Sequence, residues 1–171
     1  MATDEEVQAR ARALSSPLRL RILRLCLHES RTNKEIADML DINPATSLHH
    51  VRTLLSNGFL AAEETRRGNR GAKEVPYRST KLSWGTKLPD AAPLLVDTFL
   101  QEIDGLAPQE IQVMRVGLKL SEATQKEMMS RIHAVIEDYA MRDAEHDGVA
   151  TSLFLAHHLD MKSSKKATGA A

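Results

Sequence analysis

The sequence predicts an α+β fold that is mainly α, and three observations carry that expectation. Apolar residues recur at helical spacing from residue 4 to residue 57, with capping residues between the runs. Two strand-like runs follow, joined by the basic turn Arg66-Arg67-Gly68-Asn69-Arg70-Gly71. Beyond residue 94 the pattern becomes helix, strand, helix, strand.

The first element is a helix over 4–14, with Val7, Arg10 and Leu14 at helical spacing. Ser16-Pro17 suits an N-cap followed by the first helical position. The run from Leu18 to Ile22 alternates as a strand does, but it continues through Leu23, Leu25, Cys26 and Leu27 without a turn signal. Residues 17–28 therefore read as a buried helix, with Cys26 as a small core residue. Thr32-Asn33-Lys34-Glu35 is a capping box that opens a short helix carrying Ile36, Met39 and Leu40. Asn43-Pro44 opens the next helix, which runs to about Ser56 and stops at Asn57-Gly58.

At about 100° per residue, Leu48, Val51 and Leu55 fall on one side of that helix, with Leu54 at the edge. Thr46, His49, His50, Thr53 and Asn57 fall on the other, flanked by Ser47 and Arg52. Hydroxyls, imidazoles and an amide on one exposed stripe suit base edges and phosphates. Adjacent His49 and His50 diverge by about 100° on a helix, so a shared metal ion is disfavoured. Phe59–Thr65 and Lys73–Thr80 read as two strands. Pro76 cannot donate to a ladder, which places it toward an open edge. Two capped helices followed by a basic hairpin make the grammar of a winged helix-turn-helix, a unit that sets one helix in a DNA groove and the hairpin on flanking backbone.

Charge supports the same assignment. The net charge is zero, yet residues 1–88 hold 15 Lys/Arg against 10 Asp/Glu, and residues 89–171 hold 8 against 13. Within the basic half, Arg66, Arg67, Arg70, Lys73, Arg78 and Lys81 stand near Glu74 alone, so a polyanionic partner fits this half. Hydrophobic residues at 42% and charged residues at 27% are ordinary globular usage. A single cysteine excludes an intrachain disulfide framework. The acidic start MATDEEVQ has no apolar run of a signal peptide, and no stretch approaches the roughly 18 apolar residues of a membrane helix, so a cytoplasmic protein is expected.

Residues 13–23, AlaLeuSerSerProLeuArgLeuArgIleLeu, resemble the opening of ArsR-type winged-helix repressors. Ser47, His50, Val51 and Leu54 match that family's S-x-x-H-L-x-x-L spacing with Val for the first Leu, and Gly58-Phe59-Leu60 follow. The resemblance covers about residues 8–82. It implies a homodimeric regulator, usually a repressor, that binds a palindromic operator through helix 44–56 and wing 59–80. Asp41 stands where many such units have Gly, and Asp tolerates the left-handed backbone better than most residues. The resemblance also raises metal sensing. No cysteine lies between Leu27 and Leu40, Arg131 rather than Asp precedes His133 by two, and Asp147-Gly148-Val149 follow His146, so the ligand spacings of metal-sensing members are not met.

The remainder reads as a linker over 82–93, a dimer helix over 94–106, a strand over 111–120, a helix over 122–141 and a strand over 149–159, with Trp84 packing where the halves meet. The last three elements form a β-α-β unit, from which a parallel strand pair is expected. The expected divisions are thus a DNA-binding domain over 1–88, a dimerisation and candidate effector domain over 89–160, and a disordered tail over 161–171. The expected DNA contacts are Thr46, Ser47, His49, His50, Arg52, Thr53, Arg66, Arg67, Asn69, Arg70 and Lys73. No catalytic set and no cofactor motif is present, so no enzyme is expected. The expected partners are double-stranded DNA, a second copy of the chain and a small-molecule effector, without a membrane. The alternatives are a winged-helix module that binds protein, or a metal-sensing repressor.

Overall fold

A computed structural model describes residues 3–68, 71, 73–86, 88, 90–142, 144–145 and 147–160. The tail expected over 161–171 lies outside the described residues.

Helix α1 (Asp4–Leu14) starts at a Thr3 capping box closed by Glu6. Helix α2 (Pro17–Leu25) has Ser16 at its N-cap in extended conformation but with no side-chain capping bond. It ends at Cys26, a turn earlier than the apolar pattern suggests. Strand β1 (Arg31–Thr32) leads directly into α3 (Asn33–Leu40). Here both halves of the expected capping box form: the Glu35 N–H donates to Thr32 Oγ1 at 3.2 Å, and the Thr32 N–H donates to Glu35 Oε2 at 2.7 Å. Asp41 closes α3 in the left-handed region at φ 51, as its short polar side chain permits. Helix α4 (Pro44–Ser56) follows an Asn43 cap whose Oδ1 accepts from the Ala45 N–H at 2.8 Å. Gly58 then adopts φ 77, a backbone that disfavours any L side chain, and turns the chain into the wing.

The wing is two short ladders rather than one continuous hairpin. Strands β2 (Leu60–Ala62) and β5 (Pro76–Ser79) pair antiparallel, and β5 also pairs with β1. The order β1-β5-β2 makes β5 the central strand, so Pro76 does not lie on an open edge. It is tolerated because it is the first residue of the strand, where its carbonyl accepts from the Glu63 N–H at 2.9 Å. Further out, β3 (Arg66–Arg67) pairs with β4 (Lys73–Glu74). Beyond the wing, a 3-10 turn (Leu82–Gly85) leads to α5 (Ala92–Ile103). Trp84 is half exposed, with Lys81 Nζ 5.2 Å from its ring centroid, rather than packed away.

The core is the meeting of α1 to α4 with the base of the wing: Ala13, Leu14, Ile22, Leu23, Cys26, Ile36, Val51, Leu54, Phe59 and Leu60. Burial pushes the Cys26 thiol up to about 12, with nearby Arg31 pulling the other way, which leaves it an inert core residue. Helix α5 packs on α2, and Arg24 Nε lies 3.1 Å from Glu102 Oε1.

The chain divides into compact units at 1–106 and 107–171. In the second unit a 3-10 turn (Pro108–Glu110) precedes α6 (Glu122–Ala140), which Ser121 caps by accepting from the Thr124 N–H. The β-α-β unit is only partly formed. Residues 111–120 and 148–160 run without helix, turn or bend, but among the described residues they join no ladder. The expected parallel pair is therefore absent among the described residues. Alternating apolar residues specify a face, yet a strand also needs partners, and two strands alone are marginal in water.

Candidate nucleic-acid interface

Helix α4 presents its surface to solvent between two fixed ends. Asn43 and Pro44 set its start, and Phe59 locks its end by donating its N–H to the Leu54 carbonyl at 2.9 Å. The buried side is Ser47, Val51 and Leu54, while Ala45, Thr46, His49, Arg52 and Ser56 are exposed. At about 100° per residue, this inward face is rotated by about 60° from the expected Leu48–Val51–Leu55 face. The rotation moves two expected contact residues. Ser47 is 0% exposed, its hydroxyl 3.5 Å from the Asn33 carbonyl, so it seats α4 on the start of α3. A hydroxyl at this place allows the close α3–α4 approach that a Leu would block.

His50 is half-buried as well. Its Nδ1 lies 3.5 Å from Arg19 Nη1. Arg19 in turn donates through Nε to the Ala13 carbonyl and through Nη2 to the Arg12 carbonyl at 2.9 Å, which satisfies the free end of α1. Burial, then Arg19 and His49, hold the His50 ring below the usual imidazole range, so it is neutral at pH 7. Arg19 is a positioning residue that sequence reasoning missed. No local signal announces a contact across 31 residues.

Thr53 is half-exposed, and its hydroxyl donates to the His49 carbonyl at 3.1 Å within the helix. Of the expected contact residues on α4, Thr46, His49 and Arg52 are exposed, and His50 and Thr53 are half-buried.

The wing divides its cations in a similar way. Arg66 reaches across to Glu35 at 2.7 Å and lies 3.7 Å from Glu74, so it ties the wing to the start of α3. Burial pushes the Glu35 carboxyl up, but the Thr32 N–H and hydroxyl together with Arg66 outweigh it and hold it below the usual carboxylate range. Arg78 donates to the His28 carbonyl at 2.5 Å and pairs with Glu63 at 3.2 Å, clamping the base of the sheet. Arg67 and Lys73 face one another across the β3–β4 ladder and are exposed. Asn69 and Arg70 lie outside the described residues. Among the described residues, no group of three or more His, Cys, Asp or Glu could hold a metal ion.

An exposed polar helix followed by a basic two-stranded arm is the apparatus of a winged helix-turn-helix. Residues 14–63 match the model of a family described as "Helix-turn-helix domain". With the wing that follows it, the amino-terminal unit has the arrangement of a winged helix-turn-helix. Among solved structures, the chain is similar in part to reduced HlyU from Vibrio cholerae N16961, at 16% identity and TM-score 0.38 over 59% of this chain and 90% of that one. It is also similar to Mb0332 from Mycobacterium bovis, described as a homodimeric winged helix-turn-helix DNA-binding domain, at 23% identity and TM-score 0.39 over 59% and 93% of the two chains. The adhesin competence repressor AdcR from Streptococcus pyogenes matches at 17% identity and TM-score 0.35 over 73% and 81%. No curated protein matches the chain. No helix among the described residues is long and apolar enough to cross a membrane.

Proposed function

We propose that this protein is a homodimeric, cytoplasmic transcriptional repressor that binds a palindromic DNA operator through helix 44–56 and wing 59–80. The observation that carries the reading is the division of labour on one surface. Ser47, His50, Arg66 and Arg78 hold the scaffold, which leaves Thr46, His49, Arg52, Arg67 and Lys73 exposed on helix and wing. Arg52 and His49 suit base edges and phosphates in a major groove, while the arm cations suit flanking phosphate. Two copies of the chain would place two such helices on half-sites related by a two-fold axis.

The test is a titration of duplex DNA carrying the chain's own upstream region, across salt. Log affinity should fall steeply with log salt. No binding at low salt would end the DNA reading in favour of a protein-binding winged helix. Arg67→Ala should weaken binding alike on operator and random duplex and lower the salt slope by about 1. Arg52→Ala should instead reduce the preference for the operator. An Arg67→Ala variant that changed only sequence preference would remove the wing from the phosphate backbone.

A further inference from the structure

We propose that the carboxy-terminal unit is completed by a second copy of this chain, with residues 111–120 and 149–159 of two protomers interleaving into one sheet under the two α6 helices. The proposal deepens the dimeric reading above by assigning the surface through which the copies join.

The unit has no interior of its own. None of the described residues from 107 to 160 is buried. Val113 is 85% exposed, Met114 89%, Val116 65%, Val149 89% and Leu153 71%, although all lie in runs that carry the alternation of strands. Helix α6 shows the same lack: Met128, Met129, Ile132 and Ile136 are only half-buried, and Val135 and Tyr139 are exposed. A folded segment of this apolar content that buries nothing is one part of a larger core.

These features point to a second copy. One chain supplies two strand-like runs and one helix, whereas a stable layer needs three or more strands, so two copies supply four strands and two helices. The two runs span 10 and 11 residues, in the range of the roughly 20–30 residues a side of a specific interface. Run 111–120 carries Arg115 and Lys119 with no acid, and α6 offers Glu137 beyond the acids that pair with Lys126, Arg131 and Arg142. The second run already lies beside α6, with Gln125 Nε2 3.0 Å from His157 Nε2, so the helix of each copy is seated to cover the shared sheet. Neither run contains proline, a usual guard of an open strand edge.

Hydrogen exchange of the full chain, read by mass spectrometry beside light scattering, tests this. The wild type should be a dimer in which amides 112–120 exchange on the order of 10-fold or more slower than an unstructured chain. Val116→Pro should release the dimer and that protection while amides of α2 and α4 stay protected. Leu118→Asp, which keeps every backbone donor, should weaken the dimer in the same direction. A monomeric wild type, unprotected 112–120 in an intact dimer, or a dimer unchanged by both substitutions would each overturn the proposal. Duplex binding in the same samples separates the readings: a strand-joined dimer that ignores DNA removes only the repressor, and a DNA-binding dimer with unprotected 112–120 removes only this interface.

Discussion

Residues 13–60 and residues 107–160 are similar in length and both are patterned with apolar residues at regular periods, but the first stretch buries ten apolar side chains in one cluster and the second buries none among its described residues. In the winged helix, α1 to α4 and the base of the wing meet in one cluster, so the core-facing apolar side chains find neighbours in the same chain. In the carboxy-terminal unit, one helix and two strand-like runs are too few elements to enclose anything. Periodicity records which face is meant to be covered. It does not record whether the cover comes from the same chain.

The largest test of that contrast is Phe59→Ala. Phe59 is fully buried where α4 meets the wing, and its truncation should cost about 3–5 kcal/mol in urea unfolding. A loss under about 1 kcal/mol would mean that this core is not the stabilising one. Thr32→Ala should come next, at about 1–2 kcal/mol, because it removes a buried cap joined to Glu35 from both sides.

A smaller effect should appear with pH. The folded state holds His50 below its ordinary value of 6.5, so the unfolded chain binds the proton more readily. Stability from this group is then present above the unfolded value and lost as pH falls through the folded one. His50→Gln should flatten that part of the stability curve, and an unchanged curve would show that burial and Arg19 do not depress the ring's titration.

The smallest effect should be Leu153→Ala in dilute protein, within about 0.5 kcal/mol, since the residue is exposed in the single chain. At high concentration the same change should cost more, because a second copy then covers it. A cost independent of concentration would break the distinction between the two regions.

Much of the winged helix was legible in the sequence because its signals are local. Both halves of the Thr32–Glu35 box, the Asn43-Pro44 start, the Asp41 turn and the Gly58 stop each act within four residues. The faces of α4 were less legible. Leu48, Val51 and Leu55 look like the natural apolar side, but the crossing with α3 favours a small residue, so Ser47 goes inside and the stripe turns. The basic run at 66–81 gave composition without roles, since Glu35 and Glu63, which engage Arg66 and Arg78, stand 31 and 15 residues away.

The sequence by itself determined where the helices start and stop, that a basic hairpin follows the second of a close pair, and that the last third carries strand periodicity. These depend on capping, turn chemistry and residue period, all of which act over a few residues. Only the tertiary structure decided that Ser47 is buried and His50 half-buried against Arg19, which arginines anchor the wing, and that the strand-like runs join no ladder among the described residues. Those outcomes depend on which surfaces meet across tens of residues, and packing rather than local propensity settles them.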